Sequence, residues 1–419
     1  MNILFVHRYF PTQFRHLATA LASDARNRVI AISHAKGGDP LHVRMPTDSG
    51  VRVVSYGEHL PQGKVTGPRH VLPLVDDMCV AWAVFSRARA LSIEDGFVPD
   101  LICANSLWGE GLYLRELFPN AKILTHLELF YHTDRGYGFD VLKLAEKDPR
   151  FPMLSKNASI ALAAATMDWG LTSTKWQRDQ LPKVYHSKVS VLHEGVDTDK
   201  IAPGPASFTI KDKGLTLKSG DEVVTYAARF FENVRGSDRF LRAMPAILEQ
   251  RPNAHIVVVG SEVKSDKDGR LPDGVTDVSS LLSGFGKNYD PNRVHFVGRL
   301  EHAEFVNLLK ISRVHVYLTE PFILSWSFLE AMACGCAIVS SNNPPVTEII
   351  ENKVSGLLVD FYDESAIAQA TVALLSDETS REKYGAVARR IIVDQFDLRS
   401  VCLPQQLSLI NRLLANEPG

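Results

Sequence analysis

The sequence predicts an α/β protein of two doubly wound domains, each a parallel sheet with helices on both faces. Three observations carry that prediction. Short β-branched runs recur along the chain and alternate with longer stretches of helical period, the pattern of βαβ units. The runs are apolar at consecutive positions rather than alternate ones, as strands covered on both faces require. The length, 419 residues, suits two or three domains.

In the first half, Ile3–Val6 is a strand of buried type. The turn His7–Thr12 leads into a helix from about Gln13 to Leu21, with Phe14, Leu17, Ala18 and Leu21 on one face and Thr12 as its N-cap. A doubly wound domain places ligand contacts in this first loop. No paired glycines occur there, so side chains are expected to face the ligand. Arg15 and His16, in the first helical turn, either meet a ligand such as a phosphate or form a solvated helix face. Val29–Ser33 and Val51–Tyr56 are the next strands, and the polar stretch between Glu58 and Arg69 reads as a loop. A long helix covers about Leu74–Ile93. Pro99–Ala104 is a strand whose loop carries Trp108, an indole that either stacks on a sugar ring or is half-buried structure. Lys122–Leu127 is a strand ending in Thr125-His126-Leu127-Glu128, where His126 and Glu128 share a face if the strand continues. Phe130–Arg150 is aromatic, charged and irregular and reads as a loop over the cleft. Ala158–Ala165 is a helix, Trp169–Thr172 a strand and Val189–Leu192 the last strand of this half. Ile201–Pro205 is a hinge.

The second half opens with the strand Val223–Ala227. The loop after it holds Arg229, Arg235 and Gly236. Two fixed positive charges and a glycine that lets backbone approach are a physical recipe for a diphosphate, although two loop arginines taken alone are often only solvated charge. Phe240–Leu248 is a helix and His255–Gly260 a strand. Ser261–Asn292 is a long polar stretch, read as a loop with room for one helix. The strand Val294–Val297 leads to Gly298-Arg299-Leu300. Val314–Leu318 is a strand followed by the turn Thr319–Phe322. Ser325, Trp326 and Ser327 then precede a helix with Phe328, Leu329, Ala331 and Met332 apolar and Gly335 as its stop. Free N–H groups and the positive helix end gather in such a loop and suit a phosphate or a sugar hydroxyl. Glu330, in the first turn or so, either accepts two hydrogen bonds from a vicinal diol such as a ribose or simply favours the helix dipole. Ala337–Val339 and Leu357–Val359 are the last strands. The tail from about Glu364 is helical, and Phe396–Leu414 is amphipathic through Leu403, Leu407, Ile410, Leu413 and Leu414.

Composition narrows the class. Hydrophobic content of 45% and charged content of 22% are those of a soluble globular protein. A formal net charge of -2 argues against a nucleic-acid binder driven by bulk charge. No apolar run approaches the roughly 20 residues of a spanning helix. Met1–Val6 fits a strand better than a signal peptide. Five scattered cysteines fit a reducing compartment, and Cys334 and Cys336 read as small core residues.

The segment Val314–Asp360 resembles the donor-binding signature of the retaining GT-B-fold glycosyltransferases of the family 4 type, usually E-x7-E with E-G-F-G ahead of L-L-E-A-M-A-C-G. Phe328-Leu329-Glu330-Ala331-Met332-Ala333-Cys334-Gly335 matches its second half, and Pro345–Ile349 and Ser355–Val359 match the loop and strand that follow. The first half departs: without a gap Phe322 takes the place of the first Glu, and with a two-residue insertion Glu320 does. Arg229 and Arg235-Gly236 resemble the family's G-R-x4-K-G element with one extra residue, and His193–Thr198 resembles its N-G-V-D linker with His193-Glu194 in place of Pro-Asn. The resemblance implies a GT-B fold, two Rossmann-like domains facing a cleft: residues 1–200 binding the acceptor, 201–390 binding the donor and 391–419 a terminal helix that crosses back. It implies that His126 and Glu128 orient acceptor and donor sugar, against the alternative of a structural His–Glu pair. Arg229 and Arg235 would stabilise the leaving diphosphate. Gly236, Arg299, Leu300, Phe322, Ser325, Trp326, Ser327 and Glu330 would line the donor site, and Arg15, His16 and Trp108 the acceptor site.

The implied reaction moves a hexose-type sugar from a UDP- or GDP-linked donor to a hydroxyl on a glycan, lipid-linked or small-molecule acceptor, with retention and front-face attack. It would serve glycan, polysaccharide or glycolipid assembly in the cytoplasm, with peripheral contact at the inner face of the membrane. No metal and no bound cofactor are expected, since no D-x-D sits in a convincing loop. A nucleotide-sugar epimerase of the same fold, a phosphorylase with a pyridoxal-bearing lysine and an inactive nucleotide-sugar-binding protein are the alternatives. The matched Leu-Glu-Ala-Met-Ala segment favours the transferase.

Overall fold

The structure, a computed structural model, describes residues 1–34, 45–46, 48–61, 66–68, 70–132, 150–262, 274–286 and 290–417. It divides into two compact units. One comprises the described residues up to Gly195 together with those from Leu398 on, and the other runs from Val196 to Asp397. The divisions therefore fall after residues 195 and 397 rather than after 200 and 390.

The first unit is built on seven parallel strands: β1 (Asn2–Val6), β2 (Arg28–Ser33), β3 (Val51–Ser55), β4 (Leu101–Asn105), β5 (Lys122–His126), β6 (Trp169–Thr172) and β7 (Val189–Val191). Their order is β3-β2-β1-β4-β5-β6-β7. Ile3 lies beside Val29 on one side and Leu101 on the other, so the central strands are buried on both faces, as their unbroken apolar runs require. The chain first builds outward from β1 to β3, then starts again at β4 on the other side of β1. Helices Arg15–Ala22 and Leu72–Asp95 lie among those covering the sheet, with Phe14, Leu17 and Leu21 in one core and Val80, Val84 and Leu91 in another. The terminal helix Leu403–Leu414 adds Leu409, Ile410 and Leu413 to the same core as Phe14 and Leu17. Thr12 does not cap the first helix. It begins a 3-10 turn at a φ of +32°, and its hydroxyl lies 3.0 Å from His7 Nε2.

The second unit holds two sheets. A hairpin, β8 (Ser207–Ile210) and β9 (Leu215–Lys218), is antiparallel. Sequence reading passed over it. Six parallel strands follow: β10 (Val223–Phe230), β11 (His255–Ser261), β12 (Val294–Gly298), β13 (Val314–Tyr317), β14 (Ala337–Ser341) and β15 (Leu357–Val359). Their order is β12-β11-β10-β13-β14-β15. The same reversal recurs here between β10 and β13.

Three expected loops fall partly outside the described residues. Of Phe130–Arg150, residues 133–149 lie outside, and Arg150 already opens the helix Arg150–Thr166. Residues 62–65 and 69 of the loop between Glu58 and Arg69, and 263–273 and 287–289 of Ser261–Asn292, also lie outside; the helix Val278–Phe285 occupies part of the latter. Cys334 and Cys336 are buried free thiols.

Gly335 ends the helix Trp326–Ala333 at a φ of +76°, and Gly385 of the helix Glu378–Phe396 lies against it. A Cβ on Gly385 would stand 2.2 Å from the Gly335 carbonyl oxygen. Helix propensity favours Gly385→Ala by about 1 kcal/mol, but forcing the two backbones apart costs about 1–3 kcal/mol, and the second effect wins. Chemical denaturation should show a net loss of stability. A net gain would mean that the two helices separate freely.

Candidate active site

In an open α/β sheet, ligands bind outside the carboxyl ends of the strands where the strand order reverses, because adjacent loops diverge there and leave a crevice. Each unit has one such point, β1/β4 in the first and β10/β13 in the second.

In the second unit, Arg229 is the second-last residue of β10, Arg235 lies in the loop after it, and Thr319–Ser327 follows β13. Gly236 joins the arginine loop to the helix Ser237–Gln250 at a φ of +66°, and a Cβ there would stand 2.6 Å from Leu318 Cβ. Only glycine fits both the left-handed backbone and the close approach. Arg229 is exposed and lies over the Phe230 ring. Arg235 is half-buried and has a second use that the sequence did not suggest. Its Nη1 donates to the Ile323 carbonyl at 2.7 Å, Tyr317 Oη at 3.2 Å and Thr319 Oγ1 at 3.3 Å, and its guanidinium stacks on Phe322 at 4.8 Å. It ties the two loops of the switch point together. Among the described residues, its Nε and Nη2 make no hydrogen bond.

The Ser325 N–H donates to Tyr317 Oη at 3.0 Å, while Ser325 and Ser327 pair through their hydroxyls at 2.7 Å. Trp326 is the first residue of its helix and is 46% exposed, which leaves an indole face for a ligand. Glu330 lies in the second turn, not the first, so the helix-dipole reading weakens. Its Oε1 lies 2.8 Å from His302 Nε2, and among the described residues its Oε2 makes no hydrogen bond. Glu320 accepts from Tyr362 Oη at 2.9 Å, and its N–H donates to Val234 of the arginine loop. Phe322 packs under Arg235 instead. Arg299 is exposed and Leu300 half-buried, at the end of the edge strand β12, two strands from β10.

In the first unit, His126 ends β5 and is buried. Its partner is not Glu128 but Glu194: His126 Nε2 lies 3.6 Å from Glu194 Oε1, and His193 Nε2 lies 3.2 Å from Glu194 Oε2. The Gly195 N–H donates to His193 Nδ1 at 2.9 Å, which places the proton of a neutral His193 on Nε2, toward the carboxylate. Burial pushes His126 down, but the charges of Glu194 and Glu128 outweigh it and its pKa is raised. Burial pushes Glu194 up, but the two histidines hold it down to about 2. Burial lowers His193, with the His126 charge adding to that effect and Glu194 opposing it. The carboxylate thus draws His126 toward its charged form, while burial and the His126 charge draw His193 toward its neutral one. Glu128 is buried separately. Its Oε1 accepts from Asn105 Nδ2 at 2.6 Å and from Gln13 Nε2, which fixes the carboxylate among β5, β4 and the first loop.

The acceptor candidates divide. Arg15 is exposed and His16 half-buried on the first helix. Trp108 follows β4 and carries two cations over its ring, Arg8 Cζ at 5.1 Å and Lys156 Nζ at 5.2 Å. The departure from Pro-Asn at His193-Glu194 was the signal for the triad. The missed Arg8 and Lys156 had none, because their partners lie far away in sequence. No group of three or more His, Cys, Asp or Glu able to hold a metal occurs among the described residues. No helix among them is long and apolar enough to cross a membrane.

The comparisons with known proteins agree with this geometry. Residues 25–201 match the sequence model of the glycosyl transferase family 4 group, and residues 207–391 match that of glycosyl transferases group 1. The GDP-mannose-dependent monoacylated alpha-(1-6)-phosphatidylinositol monomannoside mannosyltransferase of Corynebacterium glutamicum is 26% identical, over 49% of this chain and 51% of that one. The N-acetyl-alpha-D-glucosaminyl L-malate synthase of Bacillus anthracis is 30% identical, over 52% and 56%. The matched part thus spans about half the length of such relatives. Among solved structures, sucrose-phosphate synthase of Thermosynechococcus elongatus superposes over 100% of both chains with a TM-score of 0.72 at 19% identity, a likeness of fold. With both halves matched and the fold shared, the chain belongs to the GT-B-fold glycosyltransferases of the family 4, group 1 type.

Proposed function

We propose that the protein transfers a hexose-type sugar from a UDP- or GDP-linked donor to a hydroxyl acceptor, with retention at the anomeric carbon and without a metal. The observation that carries this reading is the second switch point, where Arg229, Arg235, Gly236 and two helix N-termini gather at the carboxyl ends of the neighbouring strands β10 and β13. Fixed positive charge and free N–H groups there match the charge that a departing diphosphate develops. The anomeric carbon–oxygen bond breaks and the diphosphate leaves with the electron pair. The acceptor oxygen bonds to that carbon on the same face, and its proton passes to the departing phosphate. Glu330 Oε2 holds a ribose hydroxyl, and Trp326 and the Ser325–Ser327 pair line the donor site, with Arg299 and Leu300 on the nucleobase side. Protonated His126 and the fixed carboxylate of Glu128 orient the sugar and acceptor hydroxyls. The names of similar proteins, a mannosyltransferase, a malate glycoside synthase and a D-inositol 3-phosphate glycosyltransferase, support sugar transfer to small or lipid-linked hydroxyl compounds. The reaction takes place in the cytoplasm, at the inner membrane face where the acceptor is lipid-linked.

Thermal shift with UDP, GDP, UDP-glucose and GDP-mannose tests the reading. A nucleotide at a hundredfold excess over its Kd stabilises by about 2.7 kcal/mol. The shift should appear with one base, survive a chelator and vanish in Arg229→Ala, whose side chain is exposed. No shift with any nucleotide would overturn the reading, and so would a shift that Arg229→Ala leaves intact.

A further inference from the structure

Arg8 follows β1 and Trp108 follows β4, so the two residues flank the switch point of the first sheet. The Arg8 guanidinium lies 5.1 Å from the Trp108 ring and 5.9 Å from the Tyr9 ring, and Tyr9 meets Trp108 edge-on at 6.0 Å. Two aromatic side chains therefore hold a cation at the carboxyl edge of the sheet. Lys156 shares Trp108 but is already committed: its Nζ donates to both oxygens of Asp77, at 2.6 and 2.9 Å. Arg8 is not committed. Among the described residues, its guanidinium makes no hydrogen bond and no ion pair, and it is half-buried rather than free in solvent.

The carboxyl groups near it do not neutralise it. Asp77 is matched by Lys156. Glu110 is fully buried, receives a hydrogen bond from Tyr56 Oη at 3.4 Å and has an Oε2 with no partner. Burial pushes Glu110 up to about 8, so it is mostly neutral at pH 7. One positive charge is left over, on a planar fork of N–H donors held in place by rings. Such a fork matches a carboxylate or a phosphate in a bidentate way.

We propose that this crevice is an oxyanion subsite, in which Arg8 grips a phosphate or carboxylate group carried by the acceptor, and Trp108 and Tyr9 position Arg8. The acceptor class is therefore an anionic hydroxyl compound rather than a neutral sugar. This rests on the transferase reading above, which supplies the need for an acceptor. Trp108, which the sequence offered as a platform for a sugar ring, here supports the arginine.

The test is calorimetric titration of the whole protein with inorganic phosphate, glucose 6-phosphate, malate and glucose, with the preferred nucleotide at saturation to fill the donor site. At least one of the first three should bind and glucose should not. Comparing glucose 6-phosphate with malate tells phosphate from carboxylate, and inorganic phosphate shows whether the group alone suffices. Arg8→Gln should weaken that binding by about tenfold to a hundredfold, the worth of one or two charged hydrogen bonds, while the nucleotide shift stays as in the wild type. Arg8→Lys, which keeps the charge without the fork, should fall between. If no oxyanion compound binds, or if binding is unchanged in both variants, the subsite does not exist. Failure of the nucleotide shift would instead strike the transferase reading, so the two failures are distinct.

Discussion

Glu194→Gln is expected to lower the stability of the first unit by about 3–5 kcal/mol at neutral pH, the cost of removing one partner from a buried ion pair. The pKa of Glu194 leads to a similar figure. A carboxyl held at about 2 instead of 4.5 contributes about 3 kcal/mol, at 1.36 kcal/mol for each unit. The signs of the three titrations differ, and together they predict the shape of the pH profile. Glu194 is depressed, so its contribution is complete above pH 4.5 and is lost as the pH falls toward 2. His126 is raised, so its contribution is complete below pH 6.5 and is lost as the pH climbs through its folded value. His193 is depressed, so below pH 6.5 the unfolded chain takes up a proton that the folded chain refuses, and stability falls. Stability from this cluster therefore peaks near pH 6.5. With glutamine in place, His126 loses the charge of Glu194 and only that of Glu128 is left to oppose burial. The decline above pH 6.5 should shrink, and a steeper one should grow below it.

Urea denaturation from pH 5 to 9 reads this directly. Four of the five tryptophans, Trp82, Trp108, Trp169 and Trp176, lie in the first unit, so their fluorescence reports mainly its transition. An unchanged midpoint and an unchanged pH slope in Glu194→Gln would mean that the carboxylate is solvated in solution and that His126 is not held charged. Catalysis would follow the same group. If His126 works as the imidazolium, its loss in Glu194→Gln should lower kcat above pH 6.5 more than it raises KM.

The parts of this protein that were legible in its sequence are those fixed by local pattern. Buried parallel strands announce themselves as short β-branched runs, and all thirteen strands of the two parallel sheets stand within a few residues of where the pattern puts them. The arginine loop and the helix before Gly335 were legible for the same reason, since spacing and turn chemistry are local. The hairpin Ser207–Lys218 was not. Its two strands are four residues each, and a neighbouring Pro-Gly-Pro made the region look like linker only. Long-range polar pairs were also beyond reach. Lys156 meets Asp77 across 79 positions and His126 meets Glu194 across 68, and no periodicity links such partners. In the case of His126, the sequence offered Glu128 as the nearer carboxylate, but the strand ends at His126, and Glu128 turns to Asn105 and Gln13. The role of Arg235 was half legible: its charge was plain in the sequence, whereas its hold on the neighbouring loop depends on β10 lying beside β13.

That double role makes Arg235→Ala the other large effect, and it separates this residue from Arg229. Removing the side chain leaves the Ile323 carbonyl, Tyr317 Oη and Thr319 Oγ1 without their charged donor, and takes the cation from Phe322. Hydrogen bonds to a charged group are worth about 1.5–3 kcal/mol, and Tyr317 and Thr319 are buried, so water does not fully replace the donor. The second unit should lose about that much stability. Nucleotide affinity should also fall by at least about tenfold, because a diphosphate charge goes unmatched and the Thr319–Ser325 loop loses its anchor. Arg229→Ala, by contrast, should lose nucleotide affinity with little change in stability. Arg235→Lys discriminates between charge and shape. An ammonium restores the charge but cannot reach three acceptors while lying flat on Phe322, so part of the affinity should return without the stability. If lysine restored both in full, the guanidinium geometry would be irrelevant and the loop would be held by its own backbone. If alanine left stability unchanged but abolished nucleotide binding, Arg235 would be a pure ligand residue, and the two loops at this switch point would be independent of each other.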